Sequence, residues 1–227
     1  LDDTNGNIWI GTDHKGVFVY DYVNDTLINL LNDPASYTSL ASDRINTIYR
    51  DDSGVIWLGH FKKGISYYHD SFYEFINSRH QECGDISTIL EDKKGNIWLG
   101  TDGNGVYVKE KNANFAIRKL PIPNIAIVSL LEDSKGRIWI GSYQHGLFCY
   151  DNGHMQHFTK ENGELPYNGI LSLEEDRYGN LWIGNVAGTL FCFYSETKTF
   201  TCYLLPDGYS IYALNLFYDQ GDKLYIG

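Results

Sequence analysis

The sequence GNIWIG at residues 6–11 recurs along the chain in five further variants. They are GVIWLG at 54–59, GNIWLG at 95–100, GRIWIG at 136–141, GNLWIG at 179–184 and GDKLYIG at 221–227. Their aromatic residues follow one another at intervals of about 42 residues, a period typical of β-propeller blades. The chain is therefore an internal repeat, and the repeated stretch decides its fold.

Each copy also carries an aspartate six residues before its aromatic residue. These aspartates are Asp3, Asp51, Asp92, Asp133, Asp176 and Asp219. The pattern Asp-x-x-Gly predicts a tight hairpin turn, because aspartate bonds to the backbone ahead of it and glycine adopts positive φ. The IWI segment is apolar on both sides of a strand, which predicts a sheet buried between neighbouring blades. We therefore assign the repeated Trp, Gly and Asp a structural role, with the tryptophan as a wedge between blades.

Each unit predicts four short strands, and no helical pattern interrupts the series. The expected fold is all-β, a β-propeller of four-stranded antiparallel blades of about 42 residues that forms one domain over 1–227. The units around Trp9 and Tyr225 are incomplete, and those around Trp57, Trp98, Trp139 and Trp182 are complete. The chain then covers roughly five blades, a fragment of a seven-bladed propeller. The alternative is a five-bladed ring in which 208–219 supplies the strand that the first unit lacks.

The composition fits a folded domain and disfavours some functions. The chain has 227 residues, of which 43% are hydrophobic, and its net charge is −11. An acidic surface repels phosphate, which argues against nucleic acid as a partner. No stretch approaches the ~18 consecutive apolar residues of a membrane span, and the opening LDDTNGNIW has no apolar signal core. Any export or anchoring signal is expected outside this chain.

The four cysteines are Cys83, Cys149, Cys192 and Cys202, and none forms a CxxC pair. This spacing argues against a zinc or redox motif. Cys192 and Cys202 flank a predicted hairpin, and a loop of three or five residues would place them opposite each other for a disulfide. The alternative is that both are small buried apolar residues.

The repeated unit E/D-D-x-x-G-N-I-W-I-G-T-x-x-x-G-V-x-x-Y-D closely resembles the two-component regulator propeller repeat. The segment 32–60 is similar to that family's connector between blades and the strands that follow it, and the resemblance covers essentially the whole chain. The chain departs from the pattern in Tyr225, which replaces tryptophan, in Lys109, where other units carry an aromatic residue, and in the shorter loop at Asn185.

The resemblance implies the extracytoplasmic sensor region of a hybrid two-component histidine kinase, a type best known in gut Bacteroidetes. In that family tandem seven-bladed propellers precede a β-sandwich, a membrane helix and a kinase, and the ligands are typically oligosaccharides. The implied location is periplasmic. The implied partners are an oligosaccharide or other small ligand, the neighbouring propeller and β-sandwich domains, and a second copy in a homodimer. No catalysis, cofactor or direct membrane contact is expected in this chain.

The turn between the second and third strands of each unit changes its residues while the framework stays constant, as in scaffolds that carry recognition on loops. We expect these turns to lie beside the connectors between blades and to bind the ligand through hydrogen bonds, with Phe61 and Tyr143 stacking on a sugar ring. The alternative is that they are solvated loop tips. The candidate binding residues are Asp13, His14, Lys15, His60, Phe61, Lys62, Asp102, Asn104, Tyr143, Gln144, His145 and Asn185.

Other chemistry is indicated only weakly. His14, His60 and His145 occupy equivalent turns, yet no fixed carboxylate accompanies all of them, and no metal site is predicted. Residues 2–7 hint at a calcium loop but lack its glutamate. Paired acids recur once per unit, which fits a scaffold better than the single carboxylate pair of a glycosidase. They are Glu91-Asp92, Glu132-Asp133 and Glu174-Glu175-Asp176.

Two other functions stay open beside the sensor. One is a polysaccharide-acting propeller enzyme, a glycosidase or lyase, which would need a unique acid pair or an arginine cluster. The six arginines are scattered along the sequence instead. The other is a protein-interaction propeller, although the repeat lacks the Gly-His and Trp-Asp signature of the WD40 type.

Overall fold

The computed structural model describes residues 1–3, 5–36, 38–69, 75–77, 83–112, 117–203, 215–219 and 222–227, with the backbone only at 75–77. These residues form strands and turns, and this part of the chain holds no helix long and apolar enough to cross a membrane. The chain divides into two compact units, Leu1–Asn124 and Ile125–Gly227.

The first unit contains three antiparallel sheets, which we call blades 1 to 3. Blade 1 has three strands and blades 2 and 3 have four, each strand pairing with the next one along the chain. The strands are β1 Asn7–Gly11, β2 Val17–Asp21 and β3 Thr26–Leu30; β4 Ile45–Arg50, β5 Ile56–His60, β6 Gly64–Tyr68 and β7 Phe75–Asn77; β8 Ile86–Glu91, β9 Ile97–Thr101, β10 Val106–Lys109 and β11 Ile117–Lys119.

The second unit contains blades 4 to 6. Blades 4 and 5 have four antiparallel strands, and blade 6 has two. The strands are β12 Ile127–Glu132, β13 Ile138–Ser142, β14 Leu147–Asp151 and β15 His154–Phe158; β16 Ile170–Glu175, β17 Leu181–Asn185, β18 Leu190–Tyr194 and β19 Thr199–Tyr203; β20 Leu216–Tyr218 and β21 Leu224–Ile226.

The predicted fold class is confirmed: the chain is all-β, with four-stranded antiparallel blades and incomplete first and last units. In the alternative of a five-bladed ring, 208–219 would pair with β1. Within the second unit Leu216–Tyr218 pairs with Leu224–Ile226, and the alternative of a five-bladed ring stays a prediction. The rest of the segment, up to 214, lies outside the described residues. The number of blades in the parent propeller stays a prediction.

The repeated aspartate connects the turn to the tryptophan of its own blade. In blade 4, Oδ1 of Asp133 accepts hydrogen bonds from the backbone N–H groups of Lys135 (3.0 Å) and Arg137 (2.9 Å). Its Oδ2 accepts the indole N–H of Trp139 at 2.8 Å. One buried side chain thus closes the hairpin turn and holds the tryptophan in place.

This arrangement shifts the ionisation of the carboxylates in three blades. Burial raises the pKa of Asp133, but the hydrogen bonds from Trp139 and Arg137 outweigh it, and the net pKa lies below its ordinary value. The pKa values of Asp3 and Asp92 are lowered in the same way, against burial, by hydrogen bonds from their own tryptophans and turns. These aspartates are therefore held in the charged form that accepts the bonds.

Trp9, Trp57 and Trp139 pack between neighbouring blades, as predicted. In the first unit Trp9 shares a buried cluster with Ile45, Ile56 and Leu58 of blade 2. In the second unit Trp139 shares one with residues of blade 5, and its ring lies 5.2 Å from that of Phe193. Each such junction buries apolar area from two blades, which is the main favourable term holding them together.

The glycine two residues after the tryptophan makes room for the next blade. A Cβ on Gly59 would lie 2.6 Å from Cγ2 of Thr47 and 3.0 Å from Cβ of Ile86, the first residue of blade 3. A Cβ on Gly141 would lie 2.7 Å from Cγ2 of Ile170 in blade 5. The second glycine of the repeated stretch is therefore required by close packing between blades.

The expectation that the IWI strands are buried on both faces holds for β5, β9 and β13, in which every residue is buried. It is wrong for β1. There Ile8 and Ile10 are 38% and 48% exposed, whereas their counterparts Ile56 and Leu58 in β5 are almost fully buried against blade 1.

Cys192 and Cys202 form no disulfide, which the sequence left open as one of two possibilities. In the hairpin of β18 and β19, Cys192 pairs with Thr201 and Cys202 pairs with Phe191. Thr201, the partner of Cys192, is the neighbour of Cys202 in β19, and neighbouring residues of a strand point to opposite faces of the sheet. Cys192 is therefore buried while Cys202 is exposed, and both are free thiols. Burial raises the pKa of the Cys192 thiol to about 12. Cys192 thus fits the alternative of a small buried apolar residue, and Cys202 does not.

Candidate functional site

The candidate site is the turn edge, which we define as the turns between the second and third strands of each repeat unit together with the connectors beside them. Blade 1 lacks the first strand of its unit, so its turn lies between β1 and β2. In blades 1, 3, 4 and 5 the first residue of the turn closes it with its own side chain. In blade 3 the hydroxyl of Thr101 donates to the carbonyl of Gly105 at 2.7 Å and accepts the backbone N–H of Asn104 at 2.9 Å. Thr12 in blade 1 and Ser142 in blade 4 make equivalent bonds. This position is structural, and the residues after it are the variable ones.

Two predicted binding residues, His60 and Asn185, occupy this structural position rather than the exposed turn. His60 ends β5 and Asn185 ends β17, and both are fully buried. The imidazole of His60 contacts the Ser66 hydroxyl at 2.7 Å and the Ser42 carbonyl at 2.9 Å. Burial lowers the pKa of His60 to about 4. Asn185 Nδ2 donates to the carbonyl of Thr189 at 2.7 Å.

The connectors lie beside the turns, as the sequence predicted. In the first unit the N–H of Gly16 donates to the carbonyl of Asp43 at 2.9 Å, and the N–H of Phe61 donates to that of Arg44 at 3.1 Å. In the second unit the N–H of Gly146 donates to the carbonyl of Asn168 at 2.8 Å. Turn and connector therefore form one surface within each unit.

Four side chains of the first unit come together on this surface. Nε of Arg44 donates to Oδ1 of Asp13 at 2.9 Å, and the guanidinium carbon lies 3.7 Å from the centre of the Phe61 ring. Nζ of Lys62 lies 4.9 Å from the same ring. The bond from Arg44 holds the pKa of Asp13 below its ordinary value. Because a guanidinium covers one face of Phe61, that face is not open for a sugar ring.

The other predicted residues of the first unit are placed along the same edge. His14 and Lys15 are exposed, and Nδ1 of His14 lies 3.1 Å from Oδ2 of Asp13. Asp102 is exposed, and its N–H donates to the carbonyl of Asp85 at 2.8 Å. Nδ2 of Asn104 reaches the carbonyl of Cys83 at 3.5 Å. These side chains offer charged and amide groups to solvent.

The second unit presents two exposed tyrosines on its turn edge. Tyr143, in the turn of blade 4, is 48% exposed, and Tyr167, in the connector to blade 5, is 42% exposed. The two segments touch, since a Cβ on Gly169 would lie 2.9 Å from the Tyr143 carbonyl oxygen. The ring of Tyr167 lies almost parallel to that of Phe191. Nζ of Lys160 lies 5.9 Å from the centre of the Tyr167 ring.

Gln144 and His145 complete the turn of blade 4, and both are exposed. The carbonyl of His145 contacts Nε2 of His157 at 2.6 Å, and the His157 ring stacks on Phe148 with centres 3.9 Å apart. This contact ties the turn to β15 and leaves the Gln144 and His145 side chains directed away from the core.

Sequence reasoning missed Arg44, Lys160 and Tyr167 at this edge. All three lie in connectors, which the repeat pattern does not align because their lengths differ between blades. Their position in the chain could have found them. A connector ends just before the first strand of the next blade, so it must run past the turn of the preceding blade.

The recurring acids have partners in the scaffold. The Glu91 carboxylate accepts the backbone N–H of Asp52 at 2.8 Å, and that of Glu175 accepts both the backbone N–H and the hydroxyl of Ser134 at 2.7 and 2.8 Å. Burial raises the pKa of Glu91. Asp3, which suggested a calcium loop, closes its turn as the other aspartates do. Among the described residues no group of three or more His, Cys, Asp or Glu side chains is arranged to hold a metal ion.

The sequence profile of the two-component regulator propeller repeat matches four segments of the chain, at 39–62, 81–103, 121–144 and 164–187. Each segment ends at or near a turn of the turn edge. The chain carries two-component regulator propeller repeats. The β-propeller fold predicted from the repeated stretch is confirmed, and the matched segments lie in blades 2 to 5.

Solved structures with the same fold include two extracellular domains from B. thetaiotaomicron. The first, from a hybrid two-component system, has a TM-score of 0.79 and 18% identity over 98% of this chain and 30% of that one. The second, described as from a one-component system, has a TM-score of 0.66 and 18% identity over 98% and 37%. The chain thus spans about a third of the length of these two extracellular domains.

A virginiamycin B lyase from Staphylococcus aureus also shares the fold, with a TM-score of 0.67 and 13% identity over 89% of this chain and 67% of that one. The same repeat architecture therefore occurs in an enzyme, and the fold alone does not decide between binding and catalysis. The comparison with curated proteins gave no match.

Proposed function

We propose that this chain is a sensor propeller from the extracytoplasmic part of a two-component system, and that its turn edge binds an oligosaccharide without chemically changing it. The observation that carries the proposal is the four-fold match to two-component regulator propeller repeats. The structural likeness of this chain to the extracellular domain of a hybrid two-component system supports the same role.

The contrast between framework and turn supports binding at the turn edge. The aspartate–tryptophan bonds and the turn-closing side chains recur from blade to blade. The turn tips differ, and their side chains are exposed although the segments are held rigidly by backbone bonds to the connectors. Rigid loops with varied polar tips bind ligands with little loss of conformational entropy.

The chemistry of the turn edge suits sugars. In the second unit Tyr143 and Tyr167 offer aromatic faces, and Gln144, His145 and Lys160 offer hydrogen-bond groups around them. Sugar rings have an apolar face bordered by hydroxyl groups, so an aromatic surface with polar neighbours is complementary to them. In the first unit Asp13, Arg44 and Lys62 add charged hydrogen-bond groups.

The proposal includes that this chain catalyses no reaction on its ligand. The recurring glutamates and aspartates that suggested a glycosidase are engaged in turn and blade contacts. A periplasmic location, a homodimer and contacts with further propeller and β-sandwich domains of a parent protein follow from the same sensor role. Signal transfer would then occur through changes in packing between domains.

A thermal-shift screen tests the proposal directly. The purified chain is heated with maltohexaose, cellohexaose, xylohexaose or a chondroitin sulfate tetrasaccharide, because any ligand bound by the folded state raises the melting temperature. We expect at least one oligosaccharide to raise it in a concentration-dependent way and to be recovered intact by mass spectrometry. Shortened or unsaturated products would favour the glycosidase or lyase, and no shift with any oligosaccharide would count against sugar sensing.

A further inference from the structure

Basic side chains gather at one place on the turn edge, where the turns of blades 1 and 2 meet the connector between them. The turns are 12–16 and 60–64, and the connector residues are 42–45. We call their charged residues the basic cluster, and these are Asp13, Lys15, Asp43, Arg44, Lys62 and Lys63. Four positive and two negative side chains give the cluster a formal charge of +2 with the histidines neutral, whereas the whole chain carries −11.

Backbone hydrogen bonds hold both turns against the same two connector residues. The N–H of Gly16, in the turn of blade 1, donates to the carbonyl of Asp43 at 2.9 Å. The N–H of Phe61, in the turn of blade 2, donates to the carbonyl of the next residue, Arg44, at 3.1 Å. Arg44 therefore lies between the two turns that carry the lysines of the cluster.

The guanidinium of Arg44 is held in a defined orientation. Its Nε donates to Asp13 at 2.9 Å, and its central carbon lies 3.7 Å from the centre of the Phe61 ring. Of the five N–H donors of a guanidinium, only that on Nε has a partner within the described ranges. The two Nη groups form a planar fork that matches two oxygens of a carboxylate or sulfate. The side chain is 36% exposed, so a ligand can reach it.

The two acidic residues of the cluster already have partners in the protein. Besides accepting from Arg44, Asp13 lies 3.1 Å from Nδ1 of His14 through its second oxygen. Oδ1 of Asp43 accepts the backbone N–H of Asn32 at 2.6 Å. The three lysines of the cluster are exposed. The carboxylates thus hold the turn and the connector in place, and the exposed charge that they leave is positive.

The blade fold does not require this positive charge. In blade 3 the turn and the connector residues before it, 101–105 and 83–85, contain Asp85 and Asp102 and no basic residue. In blade 4 the turn at 142–146 contains neither lysine nor arginine, and the connector at 160–169 has one lysine and two glutamates. The basic cluster is therefore specific to the turns of blades 1 and 2, as expected of a recognition surface on a repeated scaffold.

We infer that the basic cluster binds the carboxylate or sulfate group of an acidic oligosaccharide, with two of its oxygens on the Arg44 fork. This inference rests on the proposed function, because it names the class of sugar that the turn edge takes. The exposed lysines add positive charge around the fork. A short acidic sugar meets only the cluster, whereas a long polyanion such as a nucleic acid also meets the acidic remainder of the surface.

Two pairs of tetrasaccharides test the inference, because the members of each pair differ only in acidic groups. One pair is chondroitin 4-sulfate and unsulfated chondroitin, and the other is tetragalacturonate and its methyl ester. Affinities are measured by isothermal titration at about 20 mM and about 200 mM NaCl, since salt screens exposed charges. We expect the more acidic member of at least one pair to bind at least tenfold more tightly at low salt, and the preference to shrink at high salt. The pair that shows it identifies sulfate or carboxylate as the group bound.

Three variants decide whether the basic cluster is responsible. Arg44→Gln should weaken binding of the preferred acidic sugar at least tenfold. Lys62→Gln should weaken it several-fold, and it keeps the test valid if the first variant fails to fold. Lys198→Gln is the matched control and should bind normally: Lys62 and Lys198 are both exposed, with φ of 57° and 56°, and Lys198 precedes β19, outside the turn edge.

The inference is overturned if neither pair shows a preference for the acidic member, or if folded Arg44→Gln and Lys62→Gln chains bind the acidic sugar as the parent does. It is also overturned if Lys198→Gln weakens binding as much as they do. Equal binding of the methyl ester and the free acid would overturn it while leaving oligosaccharide sensing in place, so the two proposals fail separately.

Discussion

The indole N–H of Trp98 donates a hydrogen bond of 2.8 Å to Oδ2 of Asp92, the residue six positions before it. The same bond occurs in the other tryptophan blades, and in blade 6 the hydroxyl of Tyr225 donates to Asp219 at 3.1 Å. Tyrosine can replace tryptophan there because its hydroxyl reaches the same carboxylate. The bond explains why the repeat has an aspartate, rather than any turn-forming residue, at this position.

Replacing Asp92 by alanine is expected to destabilise the chain by about 3 kcal/mol, because buried donors in the turn and on Trp98 lose their acceptor. Urea denaturation followed by tryptophan fluorescence measures this loss. Asp102→Ala, an exposed aspartate in the same blade, is the matched control and should change stability little. Equal effects of the two substitutions would show that the bond to Trp98 is not important for stability.

Gly59→Ala should destabilise the chain by about 2 kcal/mol through overpacking, because the new methyl group would collide with Thr47 and Ile86. Gly227 has the same place in the repeat but no atom within 4 Å of an added Cβ, so Gly227→Ala should be neutral. Thermal denaturation of the two variants provides the comparison. A neutral Gly59→Ala would contradict the role of this glycine in packing between blades.

His60 should make stability depend on pH in the acid range. Its pKa is about 4 in the folded chain and 6.5 when unperturbed, so only the unfolded state takes up the proton between these values. Above pH 6.5 His60 therefore does not change the free energy of unfolding. As the pH falls from 6.5 towards 4, His60 lowers this free energy, by about 3 kcal/mol at most.

Urea denaturation at pH 7, 5.5 and 4.5 measures this dependence. His60→Thr, which copies Thr12 and Thr101 of neighbouring blades, should remove most of it. The same pH dependence in parent and His60→Thr chains would mean that other groups cause it.

At the turn edge of the second unit, Tyr143→Ala and Tyr167→Ala should each weaken oligosaccharide binding about tenfold, the value of one lost stacking contact. Isothermal titration with the oligosaccharide that gives the largest thermal shift measures the effect. Tyr178→Ala is the matched control, since Tyr178 is 67% exposed but lies in the turn between β16 and β17. Loss of binding in the Tyr178→Ala control alone would show that the oligosaccharide binds at the opposite edge of the blades, not at the turn edge.

Most of the fold followed from the sequence because the repeat aligns with itself. The aspartate, tryptophan and glycine positions predicted the strands, the hairpin turns and the burial of tryptophan between blades. The bond from Trp98 to Asp92 was not predicted, because a pattern of residues does not show which side-chain atoms meet. The proposed pairing of Cys192 with Cys202 failed because the β18–β19 register depends on the loop, and a shift of one residue reverses the face.

The candidate site was predictable only in outline. The turns were located correctly, but His60 and Asn185 at the first turn position were taken as recognition residues. Both are buried: the Asn185 side chain closes its turn, and the His60 imidazole contacts Ser66 and the carbonyl of Ser42. Tyr167 and Arg44 were missed because connectors vary in length and do not align.

Amide hydrogen exchange with and without the oligosaccharide selected by the thermal-shift screen tests the central claim, that the turn edge is the ligand face. The amides of Tyr143 and Gly146 are bonded to neighbouring connectors, so they report opening of this edge. The account predicts slower exchange at 142–146 and 160–169 when the sugar is bound, with the turn at 177–180 unchanged. Protection confined to 177–180, or no protection in any turn despite saturating ligand, would contradict it.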